Sequence, residues 1–99
     1  MLNIRWKDCS ASDAVTSHFE TKLSKILRFK MVDVENIKAE VVKYEKENRF
    51  TVRLNTPIIK GSIIRSEAKA DDVLTAINEV IEKSLDQIRR VKTKRSINK

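Results

Sequence analysis

Ile64-Arg65-Ser66-Glu67-Ala68-Lys69-Ala70-Asp71-Asp72-Val73-Leu74-Thr75-Ala76-Ile77 changes its hydrophobic period in the middle. Ile64, Ser66, Ala68 and Ala70 recur every second residue and share one face of a strand. Most of these side chains are small, which lets a helix approach that face closely. Asp71 and Asp72 then set carboxylates where the free amides of a helix start need acceptors. From there Val73, Ile77, Val80, Ile81, Ser84, Leu85, Ile88 and Val91 follow at helical spacing. They predict one apolar face about 27 Å long. The stretch therefore reads as a strand followed by a long amphipathic helix that needs a sheet to lie on.

Working back toward the N-terminus supplies that sheet. Leu2, Ile4 and Trp6 alternate with Asn3, Arg5 and Lys7, the mark of a half-buried strand. Ser10-Ala11-Ser12-Asp13 offers capping hydroxyls and an early acid, the entry signal of a helix. Val15, Phe19, Leu23, Ile26 and Leu27 form its apolar stripe. Asn36 to Tyr44 alternates again, with Ile37, Ala39 and Val41 on one face. Glu45-Lys46-Glu47-Asn48 reads as a turn, after which Phe50, Val52 and Leu54 alternate once more. Asn55-Thr56-Pro57 is expected to begin a connection that ends near Gly61, the residue best suited to a positive φ.

The order is β-α-β-β-β-α. Strands one and two, joined by a helix, are expected to be parallel with a right-handed crossover, and the later pairs antiparallel. The apolar residues suffice for one face of the sheet only, so both helices must cover the same side. The fold class is α+β: a two-layer sandwich with a four-stranded mixed sheet and two helices on one face. Residues 1–92 are assigned to a single α+β domain and 93–99 to a basic C-terminal tail.

A chain of 99 residues with 40% apolar content supports one core. One Gly and one Pro argue against a turn-rich barrel and against disorder. No stretch approaches ~18 apolar residues, and the N-terminus lacks the apolar run of a signal peptide. Cys9 stands alone and reads as a thiol of a reducing compartment.

The charge is concentrated at one end. Lys83 to Lys99 hold seven Lys/Arg against one acid, Asp86, whereas the preceding 82 residues hold fourteen bases against thirteen acids. A helix dipole accounts for one or two cations in a last turn, not seven. Clustered positive charge on a small domain points to a polyanion. At 100° per residue, Lys83, Gln87, Arg90 and Lys94 fall about 80° to 140° to one side of the second helix's apolar face. Arg89 and Lys92 lie on the other flank. On the first helix His18, Lys22, Lys25 and Phe29 run along one edge of the stripe. If the helices lie side by side, such rows border one basic groove. With six phosphates engaged, log K would fall against log salt with a slope of roughly −4 to −5. Aromatic residues are few and mostly at core positions, so RNA shape and backbone are the expected targets rather than base sequence.

The stretch Ile64 to Glu79 resembles the strand-to-helix segment of the ribosome hibernation-promoting factor family in its short form. That family is also known as ribosome-associated inhibitor, protein Y or sigma-54 modulation protein. Lys83, Gln87, Ile88, Arg90, Lys92 and Lys94 are similar to its basic continuation, and Lys22-Leu23-Ser24-Lys25-Ile26 to its first-helix pattern. Asn55-Thr56-Pro57 also recurs in some members. The resemblance covers Leu2 to about Lys94 and implies the same element order. It departs at Val73-Leu74, often Met-Tyr in the family, and at Asp86, commonly Arg. The resemblance implies a non-catalytic factor that occupies the decoding channel of the small ribosomal subunit at the subunit interface. Occupancy there would block tRNA and mRNA and inhibit translation under stress or in stationary phase. It implies RNA contacts by Lys22, Lys25, Lys83, Arg90 and Lys94, and further ones by Arg28, Gln87, Arg89 and Lys92. The partner it implies is the small subunit and its rRNA, the expected location is cytoplasmic and ribosome-associated, and the free protein is expected to be a monomer.

Other classes have their own signatures. A general structured-RNA-binding module shares the basic rows but would not compete with tRNA. A protein partner with an acidic surface would fit a basic helix equally. Membrane attachment would need the second helix's apolar face, which the core uses. For catalysis, His18 and Cys9 lack companions, and no Gly-rich phosphate loop or metal-ligand spacing occurs. No enzyme activity, cofactor or metal is expected.

Overall fold

The computed structural model describes residues 3–97, with side chains through residue 93. The elements are β1 (Asn3–Lys7), α1 (Asp13–Leu27), a 3₁₀ turn (Val34–Asn36), β2 (Lys38–Tyr44), β3 (Arg49–Pro57), β4 (Ile63–Ala70) and α2 (Val73–Ile97). The strands lie in the order β1-β2-β3-β4. β1 pairs parallel with β2, and the other two pairings are antiparallel. This is the α+β order that the sequence predicts. Leu2, expected to open the first strand, lies outside the described residues.

Local chemistry sets the boundaries. The Ser12 hydroxyl accepts the Val15 amide at 3.3 Å and caps α1. The Asp72 carboxylate accepts the Thr75 amide at 3.2 Å and its hydroxyl at 3.1 Å, doing the same for α2. Asp71 instead pairs with Arg49 at 3.4 Å, so one of the two acids caps and the other ties β4 to the start of β3. Asn48, at φ 49°, closes the turn between β2 and β3.

The core lies between the sheet and the helices. Phe19, Leu23 and Ile26 from α1 meet Val41, Val52 and Leu54 of the sheet and Ile77, Val80, Ile81 and Ile88 of α2. The small inward residues of β4 do what their size suggests. Ser66 and Ala68 are buried against a helix that itself presents Ala76 and Ser84. The Ser84 hydroxyl donates to that of Ser66 at 2.9 Å, which satisfies a polar pair inside the core.

Three local expectations are corrected. β3 does not stop before Asn55 but runs through Pro57, which pairs with Ile63. A proline is tolerated at a strand's last residue, where its missing amide costs little. The left-handed residue of the following loop is Lys60 (φ 58°), not Gly61. The Gly61 amide donates to the Ile58 carbonyl at 2.9 Å and closes a turn with Lys60 inside it. Leu27 is 45% exposed, because it sits on the flank of α1 that faces away from α2. No helix among the described residues is long and apolar enough to cross a membrane.

Candidate nucleic-acid interface

Helical wheels set the angle of each residue but not which flanks meet; the tertiary contacts decide that. His18 Nε2 lies 2.9 Å from Asn78 Oδ1, and Lys25 Nζ lies 4.0 Å from Glu82 Oε1. The charged edge of α1 therefore faces the flank of α2 that carries Asn78, Glu82, Arg89 and Lys92. Toward their C-terminal ends the helices border an open cleft of about 500 Å³ lined by Lys25, Arg28, Phe29, Glu82, Leu85, Arg89 and Lys92. Lys92 Nζ stands 5.7 Å from the centre of the Phe29 ring. That cation–π contact fixes the ammonium without neutralising it.

Four of the sequence-derived residues thus come together: Lys25, Arg28, Arg89 and Lys92. Glu82, the acid within the cleft, stands at the limit of salt-bridge distance from Lys25, and both side chains are exposed, so it screens the cations weakly. Lys22 is half-buried on α1, one turn before Lys25. Arg90 is exposed on α2 and pairs with Asp86 at 3.0 Å. The side chain of Lys94 lies outside the described residues, although α2 itself continues to Ile97.

Lys83 and Gln87 belong to the opposite flank. The Lys83 ammonium donates to the Glu67 carbonyl at 2.8 Å. The Gln87 amide donates to the Ser66 hydroxyl at 3.2 Å and to the Arg65 carbonyl at 3.4 Å. These two residues fasten α2 to β4 and stand away from the inter-helix cleft.

A second concentration of charge escaped the sequence reading. The sheet face turned away from the helices carries the ladder Arg5, Glu40, Arg53, Glu67, one residue from each strand, in direct register. Arg53 donates to Glu40 at 2.6 Å and lies 3.7 Å from Glu67, while Arg5 stands 4.0 Å from Glu40. The bond to Glu40, supported by Tyr44, holds the Arg53 guanidinium above its ordinary value. On either side of this neutral ladder lie cations that no carboxylate pairs among the described residues: Lys38 and Arg65 in one row, Lys7 and Lys69 in the other. The signal was present as basic residues at every second strand position. It was averaged away because Glu40 and Glu67 on the same face, and Asp8, Glu45, Glu47 and Asp71 in the adjoining turns, balance it in a sum along the chain. Among the described residues, no cluster of His, Cys, Asp or Glu has a metal-binding arrangement.

The fold has counterparts among known proteins. Residues 2–96 match the family model described as sigma 54 modulation protein / S30EA ribosomal protein. A ribosomal subunit interface protein from Coxiella burnetii superposes with a TM-score of 0.74 at 21% identity, over 91% of this chain and 97% of that one. The N-terminal domain of Protein Y from Thermus thermophilus gives 0.72 at 19% identity, with the same coverage of each chain. Comparison with curated protein sequences returns no match.

Proposed function

This chain belongs to the sigma 54 modulation protein / S30EA ribosomal protein family, and from that membership we propose that it is a ribosome hibernation factor. The family makes it a ribosome-associated binding factor of the subunit-interface type, not an enzyme. In our reading it enters the decoding channel of the small subunit, keeps tRNA and mRNA out, and silences idle ribosomes. No bond is made or broken. A rigid sandwich filling an rRNA-lined cleft inhibits by occupancy alone.

The observation that supports this reading is the cleft where Lys25 and Arg28 of α1 meet Arg89 and Lys92 of α2. Guanidinium groups grip two phosphate oxygens at once, and ammonium groups act as mobile point charges, so such a cleft suits a phosphate backbone. Few aromatic faces accompany it, which favours backbone and shape over base reading. Ribosome pelleting tests the proposal. The protein is expected to sediment with small subunits, to be released by salt, and to be displaced by tRNA. An Arg89→Glu/Lys92→Glu variant that stays folded should bind at least tenfold more weakly. Undiminished binding by that variant would refute the site. Salt-sensitive binding to free structured RNA without competition from tRNA would favour a general RNA-binding module instead.

A further inference from the structure

We infer that the open face of the sheet is a second RNA-backbone surface, so that one molecule holds two RNA segments, one in the inter-helix cleft and one on the sheet. The inference rests on the reading that the partner is folded RNA, but on different residues. Lys38 and Arg65 form one cationic row and Lys7 and Lys69 another, with the Arg5–Glu40–Arg53–Glu67 ladder between them. All four flanking cations are exposed, and among the described residues none has a carboxylate in salt-bridge reach.

The rows are four residues apart along the strands, about 13 Å. Along one strand of a duplex the phosphates advance ~3.4 Å each, so that span matches roughly four successive phosphates. The ladder between the rows satisfies its own charges and draws Glu40 and Glu67 onto Arg53 and Arg5. The acids of this face are thereby withdrawn from Lys7, Lys38, Arg65 and Lys69, which keep their charge for a ligand.

The chemistry favours RNA over an acidic protein. A protein interface of useful strength needs an apolar anchor near its centre. Here the central apolar side chain, Val42, is 3% exposed and its neighbour Thr51 is 0% exposed. The exposed apolar side chains of this face, Tyr44 at 40% and Ile63 at 49%, stand at its opposite ends rather than at its centre, and between them lie discrete, solvated cations, the pattern of a polyelectrolyte contact. The helices cover the opposite face of the sheet, so an RNA segment on the sheet leaves the cleft open for another.

Bridging tests this with the full chain and two batches of one RNA hairpin, carrying donor and acceptor dyes. Wild-type protein is expected to bind two hairpins and bring the dyes into energy transfer. Lys7→Glu/Lys69→Glu should lose the transfer, keep one hairpin, and show a log K–log salt slope shallower by about 1.5. Lys7→Gln/Lys69→Gln, a milder change, should give the same loss of transfer, and circular dichroism checks that both variants fold. Saturation of wild type at one hairpin, or unchanged transfer in both variants, would overturn the second surface and leave the cleft reading intact. Unchanged RNA binding with lost binding to poly-glutamate would also overturn it, in favour of an acidic protein. If Arg89→Glu/Lys92→Glu still bridges two hairpins, the cleft is not one of the two surfaces and the inference is overturned together with the cleft assignment.

Discussion

Lys83 places its ammonium 2.8 Å from the main-chain carbonyl oxygen of Glu67, sixteen residues earlier on the outer strand β4. Gln87, one turn further along α2, reaches Arg65 and Ser66 on the same strand. Positions that look like phosphate ligands on a helical wheel are here the fasteners between the last helix and the last strand. A hydrogen bond of this kind contributes ~0.5–1.5 kcal/mol, and the exposed Lys83 belongs at the low end. Lys83→Ala and Gln87→Ala are therefore expected to lower unfolding stability by about 0.5 and 1 kcal/mol respectively. RNA affinity should change less than it does in Arg89→Ala or Lys92→Ala. Denaturant titrations beside RNA titrations at fixed salt would show it. The opposite ranking would put the phosphate contacts back on the Lys83 flank.

The Glu40–Arg53 bond carries a second expectation. At 2.6 Å it is charge-assisted, and Glu40 is 24% exposed, but Arg53 at 43% is open enough for solvent to screen the pair. A double-mutant cycle with Glu40→Gln and Arg53→Gln should give a coupling of about 0.5–1 kcal/mol. Raising salt should erode it less than the more exposed Arg90–Asp86 pair. A coupling indistinguishable from zero would mean that the ladder does not draw the acids away from the flanking cations.

What the sequence makes legible divides along physical lines. The β4–α2 junction was readable because each step is local: alternation, small inward side chains, then acids at a helix start. α1 was readable from its cap at Ser12 and from Phe19, Leu23 and Ile26. Leu27 was misplaced because a stripe's width does not say which of its edges meets the neighbouring helix. The same gap explains the site. Lys83 and Lys92 lie on opposite flanks of one apolar face, and only the side on which α1 docks decides which of them borders the cleft. Lys60 in place of Gly61 shows the limit of residue preference, since the turn's hydrogen bonds select the position. The basic sheet face escaped because net charge was summed along the chain instead of over alternate strand positions.

Thr56 lies on the helix-covered face of β3, is 0% exposed, and has a hydroxyl with no hydrogen-bond partner among the described residues. An unmet buried hydroxyl costs ~1–3 kcal/mol, and valine keeps its branched shape. Thr56→Val is expected to stabilise the protein by about 1 kcal/mol. In a domain of this size that raises the melting temperature by roughly 4–8 °C. Thermal unfolding decides the matter, and a lower melting temperature would mean that the hydroxyl finds an acceptor after all.

Asp86 and Arg90 form an exposed i,i+4 pair at 3.0 Å, with the acid nearer the N-terminus, the favourable order on a helix. Such a pair stabilises a helix by only ~0.2–0.5 kcal/mol, so Asp86→Asn should leave the fold almost unchanged. Electrostatically the change is larger, because it removes a negative charge from a basic segment and releases Arg90 to solvent. If RNA reaches the outer face of α2, the released guanidinium adds one contact. Affinity at low salt should then rise several-fold, and the log K–log salt slope should steepen by about 0.7–0.9. If RNA is confined to the cleft of Arg28, Arg89 and Lys92 and to the sheet, only a weak long-range gain remains, and it should vanish once the Debye length falls to a few ångströms near 1 M salt. A salt series on this single variant therefore tells whether the helix meets RNA with one flank or with its whole exposed surface.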